Sequence, residues 1–319
     1  MNNARREIFV AATIVLLALL LAFTHSAYFS IRNLTDLLLA NLPVLIVSLG
    51  MTLVIVAGQI DISVGSQFAV CSIVSGILAK SGFAAVPAAL GARAAGFLLG
   101  ATNGALVGLA RIPSIVVTLA AMVGIRDGLR WTTQGAWIDS LPSSFQWLGL
   151  SQSIYPITVT LICMALAISI EWGLNNLQAG RAIVAVGSNS EGARLVGFHP
   201  PRITLWVFCL SGTLTGLAAA LNSARFNQIP SNAGLGLEMK VIAGVVIGGA
   251  SITGGRGRIS GTVLGVILLG MIGPALTFVG VDASWEKALQ GAIILMAVVT
   301  DALYTRRAWW RGAFAATGN

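Results

Sequence analysis

The stretch LLLANLPVLIVSLGMTLVIVA, residues 37–57, contains no charged side chain. A helix of about 20 predominantly apolar residues crosses the roughly 30 Å hydrocarbon core of a bilayer, so this run predicts a membrane-spanning helix. The rest of the chain has the same character. Hydrophobic residues make up 56% of it and charged residues only 9%, whereas about a quarter of the residues in soluble domains are charged. The sequence therefore predicts a polytopic integral membrane protein.

Ten apolar runs approach the length of a membrane span. They cover residues 8–23, 37–57, 62–78, 84–109, 115–129, 154–170, 203–221, 241–252, 261–279 and 288–303. We therefore expect an all-α integral membrane protein of about ten transmembrane helices. We place both the N- and C-termini in the cytoplasm, because eleven of the 19 basic residues then lie on that side, in agreement with the positive-inside rule. The connecting segments are shorter than an ordinary domain, so residues 1–319 are predicted to form a single transmembrane domain.

Several function classes are disfavoured by the residue types present. The net charge is +8, but the arginines are scattered through short loops, so nucleic acid is not an expected partner. The three lysines follow Ala79, Met239 and Glu286, whereas a phosphate-binding P-loop needs Gly-Lys. The two histidines and three cysteines show no metal-ligand spacing, and no nucleophile motif is evident. We expect no catalytic residue and no metal site, and the chain is not predicted to be an enzyme.

The positions of the acidic residues indicate which source of energy would drive a function in the membrane. Ion-coupled carriers hold ionisable side chains in mid-membrane, where such groups are costly and usually functional. Here almost every acidic residue falls at a predicted helix end or in a loop, with Asp61 and Glu171 as the nearest exceptions. This pattern favours a pore subunit that a separate motor drives. An ion-coupled secondary transporter of a small polar solute is the alternative.

Four blocks of sequence carry a family resemblance across nearly the whole chain. Residues 50–66, GMTLVIVAGQIDISVGS, resemble the signature of the ribose-type ABC transporter permeases, the membrane subunits of bacterial monosaccharide and autoinducer-2 importers. Three further blocks keep that family's order. They are RIPSIVVTL at 111–119, the polar loop at 180–197, and GLGLEMKVIA at 234–243, which glycine pairs follow at 248–249 and 254–255.

The resemblance implies a function and a set of partners. It implies a multi-pass permease of the bacterial inner (plasma) membrane that imports a small sugar or autoinducer-2-like molecule by alternating access. The partners would be cytoplasmic ABC ATPase subunits, a second permease copy or paralogue, a periplasmic or extracellular solute-binding protein, and the lipid membrane. ATP and Mg would be bound by the partner ATPase, and this chain would bind no cofactor itself.

The cytoplasmic loop, residues 180–201, holds the predicted contact with the ATPase. Glu191, Gly192 and Ala193, with Gly197 four residues later, resemble the Glu-Ala-Ala-x-x-x-Gly pattern of the coupling helix in ABC importer permeases. The resemblance assigns ATPase coupling to these four residues and to Arg194, whose charge, like that of Glu191, can pair with a partner. Gly192 stands where the pattern has alanine, which weakens a helix by about 1 kcal/mol. The structural alternative is a solvated loop that contains a charged helix.

A second candidate site lies in the first block of the resemblance. Gly58, Asp61, Ser63 and Gly65 interrupt an apolar run. Either Asp61 or Ser63 caps the following helix, or the interruption marks a broken helix whose free backbone groups line a translocation path or form a hinge. A loosely similar interruption at residues 248–261 hints at a repeat, and both interpretations stay open at this stage.

Glycines recur every fourth residue in the fourth apolar run. Gly96, Gly100, Gly104 and Gly108 give one helix face without side chains, and such faces let another helix approach closely. The same spacing occurs at residues 212 and 216, 244 and 248, and 261 and 265. The pattern predicts tight helix packing rather than contact with substrate.

Three tryptophans surround a loop that is predicted to be external. Trp131, Trp137 and Trp147 lie in or beside residues 130–153. Tryptophan is enriched at membrane interfaces, so interface anchoring is the simpler interpretation, and docking of a binding protein is the other.

Overall fold

The computed structural model describes residues 3–24, 26–282, 284–296 and 299. Eleven helices are named within these residues, and residues 285–296 are also helical. They are α1 Asn3–Thr24, α2 Ile31–Val56, α3 Val64–Lys80, α4 Ala85–Gly104, α5 Ser114–Thr133, α6 Ile154–Asn176, α7 Gln178–Ser188, α8 Ser190–Leu195, α9 Pro200–Ser223, α10 Leu237–Ile247 and α11 Ile259–Phe278. Within the described ranges there is no strand, only one β-bridge between Ile138 and Ile229. The all-α class is confirmed.

Within the described residues, six helical segments are long and apolar enough to cross a membrane, judged by length and composition. They are Glu7–Thr24, Ile31–Val56, Ala85–Leu109, Ile154–Asn176, Pro200–Ser223 and Ile259–Phe278. A count of about ten spans and the cytoplasmic placement of both termini stay predictions. The last predicted run, 288–303, lies partly outside the described residues.

Helix α2, which contains most of the uncharged run at residues 37–57, lies at the centre of the bundle. Every residue from 46 to 57 is buried, which is the environment expected for a helix that is apolar on all sides. Around it pack α9, α6, α10 and α11. In contrast, α1 and α6 bury only a small share of their residues, as expected for helices that face lipid.

The glycine face of α4 lies directly against the backbone of α9. A Cβ atom added at Gly104 would stand 2.8 Å from the carbonyl oxygen of Leu205, and one added at Gly108 would stand 2.5 Å from that of Pro201. Added atoms at Gly96 and Gly100 would collide with the carbonyl oxygens of residues 212 and 208. The two helices therefore touch backbone to backbone along four turns, the close approach that small residues permit.

Helix α10 is displaced from its predicted run. The apolar residues 241–252 predicted a helix over that range, but α10 runs from Leu237 to Ile247. It ends there because Gly249 adopts φ +97, a left-handed conformation that favours glycine and that terminates helices. A loop over residues 248–258 follows, in which Gly254 and Gly255 also have positive φ. The prediction was wrong because it followed hydrophobicity past a helix-terminating glycine pair.

Candidate functional site

The short helix α8 is capped at both ends by its own sequence. Asn189 is the N-cap, and its side chain accepts a hydrogen bond of 2.9 Å from the backbone N–H of Gly192. At the other end, the N–H groups of Gly197 and Phe198 donate to the carbonyls of Arg194 and Ala193. This pair of bonds, with Gly197 at φ +90, is the Schellman ending. Gly197 therefore ends α8.

The cap also gives a physical reason for the glycine at position 192. A Cβ atom there would lie 3.2 Å from Cγ of Asn189, which is tighter than an ordinary van der Waals contact. Glycine at this position leaves room for the Asn189 side chain to make the cap. The expected loss of helix propensity is therefore offset by an N-cap hydrogen bond.

Helix α8 presents a mixed charged and apolar surface. Glu191 in its first turn and Arg194 in its last turn are both exposed, and each sign of charge suits that end of the helix dipole. Ala193 is buried against the bundle. Beside the charges, Leu195 and Val196 are 87% and 72% exposed. The charges could be predicted from the sequence, but these two side chains could not, because they resemble ordinary apolar residues until their exposure is known.

A cavity of about 660 Å³ opens beside α8. Its wall includes Glu191, Arg194, Gln59 and Arg111. Arg111 has φ +59, an unusual conformation for a residue with a side chain and one that often occurs at functional sites. It follows a π-helical turn, Ala105–Leu109, that ends the α4 segment. The block RIPSIVVTL, residues 111–119, therefore begins at the surface next to α8.

Four glycines, which we call the glycine junction, join α7 to two distant parts of the chain, the end of α2 and the loop before α11: Gly58, Gly187, Gly254 and Gly255. An added Cβ at Gly254 would lie 2.6 Å from the carbonyl oxygen of Gly187 and 2.7 Å from Cα of Gly58. The N–H of Gly255 donates a 2.8 Å hydrogen bond to the carbonyl of Val56 at the end of α2. The two sequence interruptions, at 58–66 and 248–261, therefore meet at the end of the helix that precedes α8.

Asp61 and Ser63 belong to a buried polar cluster. The Asp61 carboxylate is fully buried and accepts hydrogen bonds from the backbone N–H and hydroxyl of Ser63 at 2.9 and 2.6 Å and from Gln67 at 3.0 Å. Asn103 of α4 donates to the Ser63 hydroxyl at 2.8 Å. Ser63 is the N-cap residue of α3 but makes no side-chain cap hydrogen bond. Asp61 accepts from Ser63 and Gln67 and bonds the turn before the helix. The predicted cap on α3 is therefore made by neither residue, and a translocation path or hinge stays a prediction.

Gly65 lies where another segment crosses α3. A Cβ atom at this position would stand 2.6 Å from the carbonyl oxygen of Gly234 and would collide with the carboxylate of Glu238. The segment is held from its other side by Arg126, whose Nη1 donates to the carbonyl of Ala233 at 2.9 Å. Gly65 therefore permits a close approach between α3 and the start of α10.

Glu171, which with Asp61 is the acidic residue nearest to a predicted mid-membrane position, connects α6 to α11. Its Oε2 atom accepts a 2.6 Å hydrogen bond from the backbone N–H of Ile259, the first residue of α11. Its other oxygen accepts from Asn175 at 3.2 Å. A carboxylate at the first turn of a helix satisfies a free N–H group and complements the helix dipole. Glu171 and Asp61 are thus both engaged in holding helix starts.

Comparisons with known proteins place these features in a family. Residues 33–298 match the family model described as branched-chain amino acid transport system / permease component. The autoinducer 2 import system permease protein LsrC of Yersinia pseudotuberculosis serotype IB (strain PB1/+) is 35% identical over 302 residues, which cover 94% of this chain and 85% of that protein. LsrC of Escherichia coli (strain K12 / DH10B) is 33% identical over 300 residues, or 94% and 87% of the two chains.

No solved structure matches the chain. The sequence matches nevertheless confirm the resemblance to importer permeases, because the family model and the relatives each cover most of the chain. The chain therefore belongs to the family of permease components of transport systems.

Proposed function

We propose that this chain is the membrane-spanning permease subunit of an ATP-driven importer, and that α8 is its contact with a cytoplasmic ATPase. The observation that carries the proposal is the surface of α8. A six-residue helix with its own caps at both ends stands at one end of the bundle and exposes Glu191, Arg194, Leu195 and Val196. Exposed apolar side chains beside charges of both signs are typical of a protein-binding surface.

The glycine junction supplies a route from α8 to the membrane helices. A movement of α8 would displace α7, the helix before it. Gly187 of α7 lies against the end of α2 and the loop between α10 and α11, so α7 would displace both of these in turn. Backbone contacts leave no flexible side chains between these parts, so displacement passes as a rigid-body motion. Closure of the ATPases on ATP would thereby shift the pore between inward-facing and outward-facing states.

The proposed solute is small, polar and uncharged. The relatives in both bacteria are named for import of autoinducer 2, and the resemblance of the sequence extends to permeases for monosaccharides. We include both in one class, hydroxyl-rich molecules of monosaccharide size. A soluble binding protein outside the cell would deliver the molecule, and a second permease, identical or similar, would complete the pore.

The proposed contact of α8 with a cytoplasmic ATPase determines how the chain is oriented in the bacterial inner membrane. The α8 end of the bundle, with the coupling loop 180–201, faces the cytoplasm, where the ATPase subunits bind ATP and Mg. Residues 1–319 form one permease domain. The opposite end, with the segment between α5 and α6, faces the binding protein.

Replacing Glu191 with lysine tests the ATPase contact. We expect uptake to fall at least tenfold and the ATPase subunit to be lost when the tagged permease is solubilised gently and purified. The fold should persist, because substitutions at exposed positions usually change stability by about 0.5 kcal/mol or less. ATP hydrolysis in the eluate, uptake of labelled solute and the melting temperature are measured together.

Asp139→Lys is the matched control. Asp139 is exposed at the opposite end, where it pairs with Lys80 across 3.1 Å, an exposed ion pair of small energetic value. This charge reversal should leave the ATPase bound. Full uptake and an intact complex in Glu191→Lys would contradict the assignment of α8.

The ion-coupled alternative makes a different prediction for Glu171. If the Glu171 carboxylate coupled transport to an ion, its neutralisation would abolish uptake. If Glu171 only caps a helix, any acceptor oxygen at this position is enough. Glu171→Gln keeps an acceptor for the N–H of Ile259, so we expect uptake to continue with a stability loss of about 1 kcal/mol. Uptake in cells that express Glu171→Gln at wild-type levels is the measurement. Complete loss of uptake in a folded variant would favour ion coupling.

A further inference from the structure

An open groove of about 810 Å³ lies between the first turns of α2 and α6. The two helices pack on each other, and both are candidate membrane spans. Helix α2 ends at the glycine junction and α6 ends next to α7, so their first turns lie at the end of the bundle opposite α8. Because a span begins where the chain enters the hydrocarbon core, the groove lies at one surface of the membrane.

Two side chains of opposite charge line this groove, Arg32 and Asp36 of α2. They are one helical turn apart, the spacing at which oppositely charged side chains commonly pair, and both are exposed. Among the described residues, however, neither side chain makes an ion pair or a hydrogen bond. Asp36 attracts Arg225 only from a greater distance, and Arg225 donates to the carbonyl of Leu39 instead, at 2.7 Å. Both charges can therefore contact a ligand.

Towards the membrane centre the groove becomes apolar. Ile157 and Leu161 of α6 line it and are 62% and 61% exposed, and Leu38 of α2 borders it from the other side. At about 1.5 Å per residue, Leu161 lies about 10 Å deeper than Ile154, the first residue of α6. Charges at the surface with an apolar wall beneath them match a phospholipid, whose headgroup stays at the surface while its acyl chains extend along the helices.

The two charges indicate which headgroup fits. No other charged side chain is present among the described residues that line the groove, so its charges cancel. An anionic headgroup would be attracted by Arg32 but repelled by Asp36, whereas a headgroup that carries both signs can satisfy each. The quaternary ammonium of choline has no N–H group. The primary ammonium of ethanolamine can donate hydrogen bonds to a carboxylate, and such charge-assisted bonds are stronger than neutral ones.

We propose that this groove binds phosphatidylethanolamine, with the phosphate at Arg32, the ammonium group at Asp36 and the acyl chains along Ile157 and Leu161. The site goes beyond the import function, because it holds a lipid of the surrounding membrane and not the transported solute. In the proposed orientation this lipid belongs to the outer leaflet. It fills the gap between the central helix α2 and the lipid-facing helix α6, and so stabilises their contact.

The test is lipid binding to the purified, delipidated full-length chain in detergent, measured by native mass spectrometry. Phosphatidylethanolamine, phosphatidylcholine and phosphatidylglycerol with the same oleoyl chains are added singly, so that only the headgroup differs. We expect phosphatidylethanolamine to bind about threefold more tightly than either of the others, a ratio within the range that one exposed ion pair contributes. Glycerophosphoethanolamine, which has the headgroup without acyl chains, should not bind at the same concentration.

Two variants locate the site. Asp36→Asn removes the charge that selects the ammonium group, so it should lose the preference for phosphatidylethanolamine. Arg32→Gln should weaken the binding of all three lipids about threefold, because the phosphate is common to them. Both positions are exposed, so both variants should remain folded. Asp139→Asn is the matched control, since Asp139 is an exposed carboxylate at the same end of the bundle but outside the groove. This variant should keep the preference.

Each outcome decides the proposal. Equal binding of the three lipids, tighter binding of phosphatidylglycerol, or equally tight binding of the headgroup alone would overturn it. An undiminished preference in Asp36→Asn, or unchanged affinities in Arg32→Gln, would overturn it as well, since the lipid would then bind elsewhere. Lipid bound to the monomer but not to a dimer would mean that a second copy of the chain covers the groove, and would also overturn it. None of these results depends on ATPase binding, which the Glu191 experiment measures separately.

Discussion

Leucine at position 104 is expected to destabilise the folded protein by about 3 kcal/mol or more and to lower its yield from membranes. Gly104 faces the α9 backbone, with the Leu205 carbonyl oxygen 2.8 Å and the Leu205 Cα 2.9 Å from the site of an added Cβ. Overpacking costs typically 1–3 kcal/mol when side chains can move aside. Backbone atoms cannot do so, because the two helices would have to separate along their whole contact. The melting temperature and the fraction of monodisperse protein measure the effect.

Gly124→Leu is the matched control. Gly124 also lies inside a 20-residue helix, α5, but no atom comes within 4 Å of its added Cβ. Since leucine has a higher helix propensity than glycine by nearly 1 kcal/mol, this variant should be at least as stable as the wild type. An unchanged melting temperature in Gly104→Leu would contradict the packing of α4 on α9.

Alanine at position 187 is expected to reduce solute uptake at least tenfold while the ATPase stays bound. The added methyl group would collide with the carbonyl oxygen of Val56 and would lie 2.8 Å from the backbone nitrogen of Gly255. Those two atoms form the hydrogen bond that ties the end of α2 to the loop after α10. The methyl group would separate them and interrupt the route from α8 to the membrane helices. ATP hydrolysis and uptake are compared in the reconstituted complex.

Gly173→Ala serves as the control for this variant. Gly173 lies near the same end of the bundle, but its added Cβ would meet only the Leu177 side chain, at an ordinary distance of 3.7 Å. Uptake should be unaffected. If the Gly187→Ala complex took up as much solute per ATP hydrolysed as the wild type, the glycine junction would not be the part that transmits motion.

The parts of the fold that follow local rules were predictable from the sequence. The four-residue glycine spacing at 96–108 indicated a bare helix face, and the structure places α9 against it. Apolar runs located α1 to α6, α9 and α11 to within a few residues at most ends. Helix α8 was indicated by the resemblance, which places Glu191 and Gly197 in the coupling-helix pattern, whereas its N-cap residue Asn189 was identified only by the structure.

The parts that depend on distant contacts were not predictable. Gly187 looks like one more glycine in an amphipathic helix until Gly58 and Gly254 are seen beside it. The exposure of Leu195 and Val196 follows from where α8 leaves the bundle, which their sequence does not encode locally. Asp61 allowed two interpretations because a cap and a path-lining carboxylate need the same residue type. The structure buries it beside Ser63 and Gln67, in hydrogen bonds that brace the turn before α3 without capping the helix.

The contact between α4 and α9 has a thermodynamic consequence. Glycine has no side-chain rotamers, so closing this contact costs no side-chain entropy. Its attraction comes from dispersion and from Cα–H groups facing carbonyl oxygens, neither of which requires the release of water. Separation of these two helices within a bilayer should therefore have little heat-capacity change, since that quantity reports newly hydrated apolar surface. The contact would keep nearly constant strength across the temperatures at which a bacterium grows.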